Sequence, residues 1–164
     1  MNLNSLFFPA PRDHYSIMTH FGEMIYIPKM VNGDQHTLCA PDASELNGRL
    51  VHIPCLFIQK RVVNKMRATS FNGKENSREA SQNGKPEQAG RPTKVILYFH
   101  GNAEDCGSSY DLLLKISIAF RCSVMAMEYP GYGMYKSESA SAELIEINAG
   151  LVLNYLIETL QYLP

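Results

Sequence analysis

Six consecutive residues, His100-Gly101-Asn102-Ala103-Glu104-Asp105, carry the strongest chemical pattern in this chain. They follow an apolar run, Val95–Phe99, and precede a helical period that starts near Ser108. A tight turn from strand to helix leaves backbone N–H groups without intrahelical partners. In an open α/β sheet such donors face the crevice at the strand carboxyl ends, where ligands bind. The amide of Asn102 is then placed to steady a developing oxyanion, a contribution of roughly 3 kcal/mol. A plainer reading makes the same residues an ordinary connection in which His100 is hydrogen-bonded for structural reasons. On the local pattern both stand.

Phosphate chemistry fails on spacing. A P-loop has four residues between its glycines and then Lys. Gly101 and Gly107 enclose five, and Ser108 follows. Gly131-Tyr132-Gly133 begins like a dinucleotide fingerprint, but Lys136 stands where the third glycine belongs. His36-x-x-Cys39 and His52-x-x-Cys55 repeat a spacing that could offer four zinc ligands. Against that, Cys55 lies in an apolar run beside Pro54, an ordinary place for a small buried thiol. The expectation is no metal and no cofactor.

The 164 residues are 45% apolar and 19% charged, enough to bury a core. Net charge is −1 but uneven. Arg61–Lys94 holds eight Lys/Arg against three Asp/Glu, net +5, and the remainder seven against thirteen, net −6. Such a basic stretch could touch acidic membrane, but its composition reads first as solvated linker, and nucleic acid is not an expected partner. Four cysteines without C-x-x-C spacing favour free thiols in a reducing, cytoplasmic setting. No segment reaches the roughly 18 apolar residues of a membrane span. The start, MNLNSLFFPAPR, has no basic region of a secretory signal.

These residues need elements to hold them. Gly22–Pro28 and Leu50–Gln59 read as a leading strand pair within 17–60, with Pro54 implying an edge or a bulge. Val31–Asn47 reads as loop. Residues 61–93 read as a disordered polar and basic insertion. From 94 to 164 the order is strand, helix, strand, helix. Val95–Phe99, apolar throughout, is expected to be buried on both faces in a parallel sheet. Ser108 and Asp111 form a capping-box pattern, with Leu112, Leu113, Ile116, Ala119 and Phe120 as the apolar face that follows. Cys122–Glu128 reads as a strand ending in the turn Tyr129-Pro-Gly-Tyr-Gly133. The segment Ser141–Leu163 carries a broad apolar stripe in which Gly150 permits close packing. The fold class is α/β, with about four sheet strands and two helices.

VILYFHGNAEDCGSSYDLL, then VMAMEYPGYG, then a long helix resembles the N-terminal half of an α/β-hydrolase. The nearest branch is the serine-aminopeptidase-like and abhydrolase group that includes depalmitoylating thioesterases. FFPAP, YIP and IPCLFI are similar to the leaders of that group. The resemblance implies an incomplete α/β-hydrolase fold, with Asn102 as a backbone oxyanion donor and His100 and Gly101 in the oxyanion loop. It implies that Ala103, Tyr129, Gly131, Tyr132 and Gly133 line the substrate site. Relatives of this kind hydrolyse esters, thioesters or amides with a Ser-His-Asp triad, acting on small acyl or peptidyl substrates.

The nucleophile elbow G-x-S-x-G occurs nowhere in the 164 residues, and all five histidines fall at or before the oxyanion loop. The expectation is a serine hydrolase-like chain, truncated before its nucleophile and inactive alone. Without a following strand, Val95–Phe99 becomes an exposed apolar edge. The alternative is a non-catalytic binding or regulatory module, pairing a partner protein at that edge or using the basic insertion.

Overall fold

The computed structural model describes residues 7–16, 18–20, 22–38, 48–60 and 94–162. The insertion expected over 61–93, together with Cys39 and Leu163, lies outside the described residues. The architecture is α/β. In chain order it comprises β1 (Met24–Asn32), β2 (Gln35–Leu38), β3 (Arg49–Ile58), β4 (Val95–Phe99), α1 (Tyr110–Phe120), β5 (Ser123–Met127) and α2 (Ala142–Asn154), with a π-helical turn over Tyr155–Thr159. Among the described residues one mixed sheet runs β2-β1-β3-β5-β4. β3 is antiparallel to both neighbours, with Ile27 opposite Ile53 and Cys55 opposite Met127. β4 and β5 are parallel, Leu97 opposite Met125, and α1 makes their crossover.

The sheet has five strands where about four are expected. The extra one, β2, lies in the stretch read as loop. The turn chemistry there is sound, but Gly33-Asp34 is a two-residue hairpin loop with Asn32 opposite Gln35. Gly33 takes φ +59°, the conformation such a turn needs.

β3 is central, not an edge, despite Pro54. In an antiparallel strand a residue's N–H and C=O point to the same neighbour. The Pro54 carbonyl accepts from the Glu128 amide, 3.0 Å, just past the end of β5 at Met127. The missing N–H therefore points where the ladder has already ended.

The strand buried on both faces is β5, every residue of it, while β4 is half-buried and Phe99 is 43% exposed. The reason is position. β4 has β5 on one side, and among the described residues no strand pairs with its other edge.

α2 covers one face of the sheet with Leu151 and Val152, continued by Leu156 of the π-helical turn. α1 covers the other through Leu113, against Leu56, Val124 and Ala126. The Ser108/Asp111 box does not form: the N-cap of α1 is Ser109, which makes no side-chain cap hydrogen bond, and a reciprocal pair lies in the turn before the helix. Asp105 Oδ1 accepts from the Ser108 amide (2.7 Å), and Ser108 Oγ accepts from the Asp105 amide (2.9 Å), a reciprocal box one turn upstream. Of the expected apolar face only Leu113 is buried and Ile116 half-buried; Leu112, Ala119 and Phe120 are exposed. Ser141 does cap α2, accepting from the Leu144 amide at 3.1 Å. Gly150 is exposed, and a Cβ there would meet nothing within 4 Å, so it mediates no close packing.

Candidate functional site

An acidic side chain closes the most apolar strand of the sheet. Glu128 directly follows β5 and is fully buried. Burial of a carboxylate demands donors, and four surround it. Cys106 N donates to Oε2 (3.1 Å) and Tyr129 N to Oε1 (3.2 Å). The Tyr15 hydroxyl donates to Oε2 at 2.5 Å, and His100 Nε2 lies 2.8 Å from Oε1. The Gly101 carbonyl, which can only accept, is 3.0 Å from His100 Nδ1, so that nitrogen carries a proton. The hydrogen bond between His100 Nε2 and Glu128 Oε1 places one proton between them. Burial, then the nearby thiol of Cys106 and the Glu128 carboxylate, pushes the Tyr15 phenol far up.

Glycine makes this junction possible. A Cβ on Gly133, at φ +40°, would lie 2.3 Å from Glu128 Oε2 and 2.7 Å from the Tyr15 ring. Any side chain there would displace the carboxylate or the phenol.

The turn over Gly101–Glu104 is exposed and closed by Glu104 N donating to the Gly101 carbonyl, 3.0 Å. Asn102 occupies the second position of that turn, where the backbone N–H has no role in closure. None of the hydrogen bonds made among the described residues uses the Asn102 amide. The turn around it is held at several points. The Tyr129 hydroxyl donates to the His100 carbonyl (2.8 Å), and the Tyr132 hydroxyl is 3.0 Å from both the Asn102 carbonyl and Oδ1. The Gly101 amide donates to Glu104 Oε2 (3.1 Å), and Asn102 Nδ2 donates to the Phe7 carbonyl (2.5 Å). Burial first, then neighbouring groups, raises the Tyr129 phenol to about 12, so it remains a donor at neutral pH.

The sequence-predicted residues therefore divide. His100, Tyr129, Tyr132 and Gly133 converge around Glu128 and the turn, and the His100 and Tyr129 rings meet tilted by 33° with centroids 3.9 Å apart. Gly101, Asn102 and Ala103 form the exposed turn itself. Gly131 lies away on the return of the loop, its amide donating to the Tyr135 carbonyl and its carbonyl accepting from Lys136 Nζ.

Sequence reasoning missed Glu128, Tyr15, Cys106 and the His14–Asp105 contact. For Glu128 a signal existed, a charge terminating an all-apolar run. For Tyr15 there was none, since 113 residues separate it from its partner. Segment 7–16 crosses these loops: the His14 amide donates to Asp105 Oδ2 (2.8 Å), with Nδ1 3.3 Å from the same oxygen. Asp13 pairs with Lys136 at 2.7 Å. Burial alone would raise Asp105, but the His14 and Ser108 amides outweigh it and hold the carboxyl below its usual range.

A second buried polar group fixes the loop from the other side. Lys29, on β1, places Nζ 2.8 Å from Glu138 Oε2 and donates to Asn148 Oδ1 (2.7 Å) on α2. The Tyr135 hydroxyl donates to Glu138 as well. Burial pulls the Lys29 ammonium down, against the Glu138 carboxylate that favours its charge. Burial opposes the Glu138 charge too, but Lys29 and Tyr135 outweigh it and hold that carboxyl low.

The His36/Cys39 and His52/Cys55 zinc pattern does not assemble. His52 is exposed and Cys55 buried, as residues three apart on one strand face opposite ways. His36 Nδ1 lies 3.3 Å from Lys29 Nζ, and Cys39 is outside the described residues. Among the described residues, the one group of His, Cys and acidic side chains with metal-ligand proximity is His100, Cys106 and Glu128. The Cys106 thiol, raised by burial and then by Glu128, is no nucleophile as it stands. Compared with family models, with curated proteins and with solved structures, this chain finds no match.

Proposed function

We propose that this chain is the oxyanion-donating N-terminal part of a serine hydrolase of the α/β-hydrolase type, whose complete form cleaves esters, thioesters or amides. The observation that carries the reading is the Asn102 amide, which no hydrogen bond among the described residues uses, in a turn held in place by Tyr129, Tyr132 and Glu104. An oxyanion donor must be preorganised, because its value comes from not having to reorient as charge develops. The turn follows the carboxyl end of β4, beside the parallel strand β5, where open α/β sheets hold ligands. The outer edge of β4, unpaired among the described residues, supports the same reading, since a further strand bearing the nucleophile belongs there by the resemblance. The 164 residues contain no G-x-S-x-G, so by themselves they are inert.

Two experiments test this. A fluorophosphonate probe should label no hydroxyl of the purified 164-residue chain, and covalent labelling would overturn the assignment of inertness. In the transcript, an in-frame strand and G-x-S-x-G beyond the codon for Pro164 is expected. A stop codon there favours the second reading, a binding module whose outer β4 edge accepts a partner strand.

A further inference from the structure

We propose that His100, Cys106 and Glu128 form a zinc site at the carboxyl ends of β4 and β5. The candidate ligand atoms of the three residues all lie within 4.8 Å of one another, and all three side chains are buried. They offer one nitrogen, one sulfur and one oxygen, a mixed set suited to a borderline ion of tetrahedral habit. The Tyr15 hydroxyl, 2.5 Å from Glu128 Oε2, puts a further oxygen beside the set for the fourth position.

The surroundings match what such ligands need. A metal-bound histidine nearly always gives its other N–H to a carbonyl or carboxylate, which fixes its tautomer. His100 Nδ1 does this with the Gly101 carbonyl, at 3.0 Å, and turns Nε2 toward Glu128. The Cys106 and Tyr129 amides orient the carboxylate. A purely hydrogen-bonded core network explains the imidazole–carboxylate contact, where a shared proton suffices. The thiol adds a sulfur to the set: its S–H donates to the Ala126 carbonyl at 3.6 Å, which leaves the sulfur lone pairs available to an ion. Zinc replaces two protons, the one shared by His100 and Glu128 and the one on Cys106 sulfur. Thiolate and carboxylate then neutralise the ion, and two protons leave to solvent. The site is independent of the hydrolase reading. It concerns residues behind the Asn102 turn and needs no nucleophile.

The test uses the full 164-residue chain, stripped of metal and then titrated with zinc or cobalt(II). Expected are one equivalent bound, release of two protons per ion in weakly buffered indicator solution, and a rise in Tm. The cobalt form should show the near-ultraviolet thiolate-to-metal absorption and the visible bands of a tetrahedral ion. Cys106→Ser and His100→Gln should lose that absorption and the bound zinc, whereas Cys39→Ser keeps both. A wild-type cobalt form without a thiolate band overturns the proposal even if no variant folds. So does zinc that survives Cys106→Ser.

Discussion

At the scale of single residues, the molecule turns on charges brought into a core and kept paired. Tyr15→Phe removes only the hydroxyl that reaches Glu128, and hydrogen bonds to charged groups are worth about 1.5–3 kcal/mol. A loss of that size in urea denaturation is the expected outcome, and a neutral effect would mean the contact does not hold in solution. Gly133→Ala should be worse, at least about 2 kcal/mol, because strain at positive φ adds to a clash with the carboxylate. For pH the informative residue is Glu138. Its native carboxyl lies below the ordinary value near 4.3, so its contribution is fully present above that value and lost as pH falls through the depressed native one. Wild type should lose stability in that acid range, and Glu138→Gln should start less stable at neutral pH and show a flatter profile. The oxyanion reading is also decided by one atom. Proline suits the second position of the Gly101–Glu104 turn but has no N–H. In a form of the protein carrying the nucleophile, Asn102→Pro should therefore lower kcat by about 10²–10³ relative to Asn102→Ala, which keeps the amide.

At the scale of elements, the two helices are held unequally. α2 and the π-helical turn after it anchor through Leu151, Val152 and Leu156, and Lys29 and Asn148 tie α2 to β1. α1 buries chiefly Leu113, and leaves Ile118 and Phe120 69% and 71% exposed. Leu113→Ala should cost about 2–5 kcal/mol, since truncation leaves a cavity between α1 and β5. Gly150→Ala should stabilise by up to about 1 kcal/mol, being an exposed helical position where a methyl meets nothing. Element type was legible from local pattern: the apolar runs became strands and the Ser141 cap starts α2. Position within the sheet was not. Pro54 sits in a central strand because its neighbour ends beside it, and a proline's own sequence carries no record of where another strand stops. The wrong apolar face of α1 has a similar origin. Leu112, Leu113 and Ile116 were grouped by period, but the sheet edge leaves α1 covered along a narrower line.

At the scale of the whole molecule, the β4 edge, unpaired among the described residues, and the exposed apolar side of α1 set how the chain behaves alone. Apolar edges invite pairing. Concentration-dependent association in sedimentation velocity is expected, reduced by replacing Ile118 and Phe120 with Lys, whose side chains are 69% and 71% exposed and support no core. A strictly monomeric wild type with a sharp cooperative melt would contradict this. The sequence by itself determined the α/β class, most strands, and the strand–turn–helix that holds His100, Gly101 and Asn102, because period and turn chemistry are local. Only tertiary structure decided that Tyr15, His100, Cys106 and Glu128 meet. Their convergence depends on which strand neighbours which and on where the N-terminal segment crosses, and burial gives a carboxylate its partners only once the chain has closed around it.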